Sequence, residues 1–341
     1  MDNLNNAKKD NFSRKTILVT GAAGFIGSRL IVELLREGHQ VIAALRNAAT
    51  KKDKLLGFIA TEGLVDPSIS FVEYDLSRDF KLDSLLSDAQ TKIHVIYHLA
   101  ASFNWGISKA EAERTNIKSG LALIEWAATL KQLERFIWIG GYRVAAPPQE
   151  SADELYCKHG GYEASKILGH QAFIEACKRL NVPWTAINPA TVIDGFYNYG
   201  DMQYIGIADM IDKLYQGRLL ALPGGRDTFL PLCNMQYIVS FLIRTISYPE
   251  TIAQEYMLLD PATPKFHRLV HLAAEHLGVS SPHLQIPKVL LEKLPEVLLD
   301  GSKEQLSFIS TEHYHVAGAE AMAAKMGIAD QIGRASCRER V

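Results

Sequence analysis

Short apolar runs alternate with amphipathic stretches along the first 190 or so residues. TILVT (Thr16–Thr20), QVIAAL (Gln40–Leu45), SISFVEYD (Ser68–Asp75), IHVIYHLAA (Ile93–Ala101), RFIWIGG (Arg135–Gly141) and WTAINPATVI (Trp184–Ile193) are almost continuously apolar. Such runs suit strands buried on both faces. Between the first two, Ile26, Leu30, Leu34 and Leu35 fall on one helical face, Arg29, Glu33 and Arg36 fall elsewhere, and Gly38 stops the helix. Further helical patterns cover 82–86, about 115–130 and about 162–180. Six strands alternating with helices predict an α/β fold, a doubly wound parallel sheet covered on both sides. Beyond about Pro189 the rhythm changes to longer helical patterns at 205–216 and 267–277, broken by Pro and Gly, which predict a smaller, mainly helical second unit.

Composition narrows the class. The chain has 341 residues, 48% hydrophobic and 22% charged, with a formal net charge of −2. It can bury a sizeable core, and it offers no overall basic face for a nucleic acid. The polar start lacks the apolar stretch of a secretory signal, and no run approaches the eighteen or so apolar residues of a membrane helix, so a cytoplasmic, non-membrane protein is expected. Residues 1–15 read as a disordered arm. IGRASCRERV (residues 332–341) reads as the translation of a sequencing-adapter oligonucleotide and is set aside. Cys157, Cys177 and Cys233 have no metal-ligand spacing and are expected to be free thiols.

Candidate chemistry begins at TGAAGFIGS, where Gly21, Gly24 and Gly27 lie between the first strand and the first helix. Backbone must approach a pyrophosphate closely at such a turn, and the helix N-terminus offers free N–H donors and a positive dipole end. The fold is therefore expected to be Rossmann-type, with a dinucleotide-binding domain over 16–190 and a substrate domain over 191–331, the two possibly interleaved. An acid at the end of the second strand would favour NAD; Leu45 and Arg46 stand there instead, followed by Lys51, Lys52 and Lys54. A guanidinium fork suits a 2′-phosphate, so NADP(H) is expected over NAD(H). Tyr162 and Lys166, in GGYEASK, are four residues apart and share a helix face. A lysine ammonium beside a phenol favours phenolate and should lower the tyrosine pKa, which makes the pair a general acid for carbonyl reduction.

With these motifs the sequence resembles the extended short-chain dehydrogenase/reductase family, the NAD-dependent epimerase/dehydratase type. TGAAGFIG, Asp75-Leu76, YHLAA, Asn116, YEASK and NPATV carry the resemblance, over about Lys15 to Asp330. It implies that Phe25 and Ile26 belong with the three glycines to the cofactor turn and that Asp75 and Leu76 flank the adenine. It further implies that Ala100 and Ala101 line the cofactor and that Pro189, Thr191 and Val192 pass the nicotinamide. Tyr162 would be the acid/base and Lys166 would bond the nicotinamide ribose. A small-molecule substrate is implied, and a homodimer through helices flanking the sheet is common in the family.

One departure stands out. The family carries a Ser or Thr after the fifth strand to orient the substrate oxygen, and this chain has Gly140 and Gly141 there. Tyr142, Ser102 or a water are the candidates to replace the hydroxyl. The leading expectation is an NADP(H)-dependent oxidoreductase reducing an aldehyde, ketone or related carbonyl, an acyl thioester included. A nucleotide-sugar epimerase or dehydratase and a non-catalytic NADP(H)-binding protein are the alternatives. Arg226 and Asp227, in PGGRDTF, are candidates to meet an anionic substrate group, with a solvated loop the competing reading. Trp105, Tyr197 and Tyr199 are candidates for the pocket, and Trp126, Trp138 and Trp184 for the core. His94 and His98 share a strand face but lack a third ligand, so no metal is expected.

Overall fold

A computed structural model describes residues 14–78, 92–144, 150–194, 206–293, 306, 311–312 and 314–328. The helical pattern at 82–86, Tyr197, Tyr199, most of the N-terminal arm and residues 332–341 lie outside the described residues. In chain order the first part runs β1 (Thr16–Thr20), α1 (Phe25–Arg36), β2 (Gln40–Leu45), α2 (Ala48–Thr61), β3 (Ile69–Glu73) and β4 (Ile93–His98). It continues with α3 (Lys109–Ala112), a π-helical turn (Glu113–Lys118), α4 (Ser119–Ala127), β5 (Arg135–Ile139), α5 (Ala152–Leu180) and β6 (Trp184–Pro189). Then follow β7 (Thr191–Ile193), α6 (Ile207–Tyr215), β8 (Ala221–Pro223), β9 (Leu232–Asn234), α7 (Met235–Thr245) and β10 (Gln254–Leu258). The chain closes with α8 (Phe266–Leu277), β11 (Leu284–Ile286), α9 (Lys288–Lys293) and α10 (Ala317–Lys325).

Among the described residues, seven strands form one sheet in the order β10-β6-β5-β4-β1-β2-β3, and every pair in it is parallel. The apolar runs explain the layers. Ile17, Val19, Val41, Ala43, Val95, Tyr97, Ile137 and Ile187 face one core, while their neighbours Leu18, Ile42, Ala44, Ile96, Phe136, Trp138 and Ala186 face the other. Side chains alternate across the sheet with a period of two, so only apolar residues at both parities can fill both cores. On the second side Trp138 stacks on Phe173 with ring centroids 4.8 Å apart, and Trp184 meets Phe173 edge-on. Trp126, Trp138 and Trp184 are core residues, as their setting suggests.

The strand order reverses between β1 and β4. At such a switch point the following connections leave in opposite directions, and a crevice opens beyond the carboxyl ends of the strands. The turn after β1 and the loop after β4 face each other there.

Three features add to the pattern reading. The basic segment after β2 is a helix, α2, whose first N–H groups at Asn47 and Ala48 donate to the Glu73 carboxylate at 2.8 and 2.7 Å. An acid at a helix N-terminus is favourable, and this one comes from a distant strand, out of reach of local pattern. Next, α7, β10 and α10 return to the first layer: β10 pairs with β6, and Ile238, Phe241, Met322 and Ala323 join the core that also holds Leu30 and Leu34. Segments beyond residue 190 thus complete the first layer. Finally, the second lobe is not helical alone: β7 pairs with β9 and β8 with β11, beside a core of Leu214, Leu222, Leu230, Phe266 and Val270.

Candidate active site

The glycine turn packs against the loop after β4 with no room to spare. Gly21 has φ +69°, a left-handed conformation that disfavours side chains, and a Cβ there would lie 2.8 Å from the Ala100 amide nitrogen. A Cβ on Gly27 would run into the Gly21 carbonyl, and one on Gly24 would lie 3.0 Å from the same oxygen. The turn is a backbone cradle at the head of α1, and Gly21, Gly24, Phe25, Ile26 and Gly27 all line one large cleft. Arg46 at the end of β2, Asp75 and Leu76 after β3, and Ala100 and Ala101 after β4 line it too, as do Pro189, Thr191 and Val192 between β6 and β9. Every cofactor residue named from sequence therefore opens onto the same space.

Arg46 is exposed, and its positive charge helps hold the Asp75 carboxyl down. Partial burial pulls Asp75 the other way, but hydrogen bonds from the Ser77 amide and hydroxyl at 2.9 and 2.8 Å, with Arg78 and Arg46 nearby, leave it below the usual range. Lys51 also lines the cleft. A nicotinamide dinucleotide fits this donor set: a backbone cradle that a Cβ would fill, a helix N-terminus, and a guanidinium with an ammonium near the second strand.

Tyr162 and Lys166 lie on α5 and line the cleft beside that space. The helix starts at a Ser151–Glu154 capping box and breaks at Gly160, where φ is +78°. Gly161 then packs so tightly on the Ile107 carbonyl that a Cβ would overlap it. Tyr162 thus opens a second helical segment pinned to the loop after β4. That loop covers it: the Phe103 ring meets the Tyr162 ring edge-on at 4.5 Å, and Trp105 lies 6.2 Å away. Lys166 Nζ donates to the Ile139 carbonyl at 3.0 Å, fixing the ammonium at the end of β5. Asn116 ties the loop to the helix, accepting from the Ser102 amide at 2.7 Å and donating to Ser165 Oγ at 3.0 Å.

The electrostatics correct one expectation. Burial pushes the Tyr162 phenol up, and the nearby Glu163 carboxylate pushes it further. Burial also pushes Lys166 down to about 8. Desolvation penalises both charged forms, so the cover of Phe103 and Trp105 outweighs the pull of the ammonium. A phenol kept protonated is in the right state to give up a proton when negative charge grows on a nearby oxygen.

Sequence reasoning missed Phe103, Arg143 and Glu163. Arg143 pairs at the cleft with the buried Glu163, which follows Tyr162 in the chain. Neither has a motif spacing; the aromatic ASFNW segment after β4 was the one available signal. Trp105 does reach the cleft, and so do Ser102 and Tyr142, although Tyr142 is buried against Tyr314 with centroids 5.3 Å apart. Arg226 and Asp227 are exposed and stand outside the cleft lining. His94 Nδ1 accepts from the Thr16 amide at 3.0 Å, and His98 Nδ1 shares a 2.8 Å hydrogen bond with Thr20 Oγ1. Both rings are tied to β1.

The two glycines after β5 are not equivalent. A Cβ on Gly140 would overlap Asn188 Oδ1 and approach His170 Nδ1 to 3.5 Å, and neither of these buried atoms has a hydrogen-bond partner among the described residues. A Cβ on Gly141 meets nothing within 4 Å, and Gly141 lines the cleft. Gly141→Ser is therefore expected to leave the melting temperature within about 2 °C of wild type, whereas Gly140→Ser overpacks the site and costs about 1–3 kcal/mol. Thermal unfolding of the two variants checks this; equal melting temperatures would contradict it.

A glycine cradle at the switch point of a parallel sheet, facing a tyrosine and a lysine on one helix, defines a nicotinamide-dinucleotide protein of the Rossmann class. The chain belongs to the NAD dependent epimerase/dehydratase family, whose model matches residues 17–254. Its resemblance to extended short-chain dehydrogenases/reductases is thereby borne out. Dihydroflavonol 4-reductase of Callistephus chinensis is 26% identical over 202 residues, covering 54% of this chain and 54% of that protein. The chain thus matches about half the length of that relative. The UDP-glucuronic acid 4-epimerase of Bacillus cereus, solved in complex with NAD, has the same fold with a TM-score of 0.62 at 21% identity, over 86% of this chain and 98% of that one. The terminal R domain of the myxalamid PKS-NRPS pathway superposes with a TM-score of 0.70 at 18% identity, over 93% of this chain and 87% of that one. Among the described residues no helix is long and apolar enough to cross a membrane.

Proposed function

We propose that the protein is an NADP(H)-dependent oxidoreductase that reduces a carbonyl group, with Tyr162 as the proton donor. The observation that carries this reading is that Tyr162 and Lys166 line the same cleft as the glycine cradle. The similarity to dihydroflavonol 4-reductase points the same way. A dihydronicotinamide cofactor held by the glycine cradle of Gly21, Gly24 and Gly27 would supply a hydride for the carbonyl carbon. Tyr162 gives its O–H proton to the carbonyl oxygen, leaving an alcohol and a phenolate. Lys166, anchored on the Ile139 carbonyl, orients a ribose hydroxyl and stabilises that phenolate while it lasts. Phe103 and Trp105 keep water from the proton before it moves.

Cofactor choice rests on Arg46. Glu73 already occupies the first N–H groups of α2, so a 2′-phosphate depends on the side chains of Arg46 and Lys51. Fluorescence titration should give tight NADPH and weak NADH binding. Arg46→Glu should reverse the order, weakening NADPH by about ten- to a hundredfold, as loss of a charge-assisted hydrogen-bond pair implies. NADH bound as tightly as NADPH by the wild-type protein would refute the phosphate assignment. Tight NADPH without reduction of any aldehyde, ketone or thioester would favour a cofactor-binding protein lacking catalysis.

A further inference from the structure

The cleft is large. It encloses about 1550 Å³, against the roughly 300–1,000 Å³ of a pocket for one drug-sized ligand. Past Tyr162 it runs on to the second lobe, where Ile193, Met210, Ile211, Leu219, Leu220 and Phe266 form much of the wall. Leu220 retains 79% of its surface and Ile211 36%, so large apolar side chains stand bare at a cleft. Single exposed apolar residues are ordinary; these two share the wall of one concave site.

The charges on this wall are already matched. Lys213 Nζ lies 2.9 Å from Asp209 Oδ2, Arg218 Nη2 lies 3.6 Å from Asp212 Oδ2, and Asp194 lies 3.7 Å from Arg29 Nε. Among the described residues of this wall, the cations a sugar nucleotide's diphosphate could take are Lys213 and Arg218, and taking either would leave a carboxylate without its partner. Arg226, the other cation considered for such a group, is outside the cleft lining. An uncharged apolar body disturbs none of these pairs and removes from water the surface that Leu220 and Ile211 expose.

Resting on the carbonyl-reduction reading above, we infer that the substrate is an uncharged carbonyl compound with an extended apolar body. The carbonyl lies beneath Phe103 and Trp105 at Tyr162, and the tail runs along the second-lobe wall over Ile211 and Leu220, which set the preferred length. The length of the tail is what the experiment reads.

Two measurements on the full chain with NADPH separate this inference from the reading it rests on. The first follows displacement of Nile red from the NADPH complex by 2-alkanones of increasing length. Affinity should rise about two- to fourfold per methylene over several carbons, as burial of a methylene against an apolar wall implies, and UDP-glucose should displace nothing. In Leu220→Asp the rise per methylene should shrink, with the melting temperature held because the side chain is mostly exposed. Affinity independent of chain length, or displacement by UDP-glucose, overturns the inference. The second measurement follows NADPH oxidation with straight-chain aldehydes and 2-alkanones, and kcat/KM should climb along the series in the same way. Length-dependent displacement with no turnover of any carbonyl would keep the apolar wall and overturn carbonyl reduction. Turnover that ignores chain length would do the reverse.

Discussion

Tyr162→Phe should lower kcat/KM for carbonyl reduction by about 100- to 10,000-fold, the range spanned by one positioned general acid, while NADPH affinity stays within about twofold. The substitution keeps the ring that packs on Phe103 and Trp105 and removes the hydroxyl proposed as the proton donor. Lys166 adds a pH signature. Burial holds its pKa near 8, below the 10.5 of an ordinary lysine, so the ammonium is present below about pH 8 and disappears above it. Reduction should therefore decline above about pH 8 in the wild-type protein. Stability moves the other way: between about 8 and 10.5 the unfolded chain binds the extra proton, so Lys166 favours folding more as pH rises through that window. Steady-state rates from pH 6 to 10 check the first trend. Full activity in Tyr162→Phe would end the assignment of this residue as the acid.

Gly27→Ala should abolish useful dinucleotide binding. The new methyl cannot coexist with the Gly21 carbonyl, so either the turn opens or α1 shifts. Overpacking of this kind costs about 1–3 kcal/mol, and displacement of the cradle itself should weaken NADPH by tenfold or more, since each 1.4 kcal/mol is a factor of ten. Gly57→Ala is the matched comparison. It lies inside α2, a Cβ there meets nothing within 4 Å, and it is outside the cleft lining, so binding should be unchanged. Titration of both variants with NADPH decides the matter; equal affinities would mean that the cradle does not hold the pyrophosphate.

The sequence alone determined the parallel sheet, because strands buried on both faces require apolar residues at odd and even positions, and that signature is local. It also determined the glycine turn and the Tyr162–Lys166 face, because a turn and one helical repeat span only a few residues. Arg46 after β2 was legible from the missing acid there and the cleft residues after β3, β4 and β6 through family resemblance, and the sheet gathers them because parallel strands all end at one edge. What lay beyond reach were the partnerships between distant segments. Glu73 caps α2 across the sheet, β10 and α10 return to the first layer, and Arg143 pairs with Glu163 at the cleft. The state of Tyr162 was likewise decided only by tertiary structure: four-residue spacing brings the ammonium near, but the cover of Phe103 and Trp105 sets the desolvation that keeps the phenol protonated. The difference between Gly140 and Gly141 is of the same kind. Both are glycine in sequence, and only the packing of Asn188 against one and open space beside the other makes them distinct. Periodicity and motif spacing act through neighbours in the chain, whereas burial, ion pairing and steric fit depend on neighbours in space.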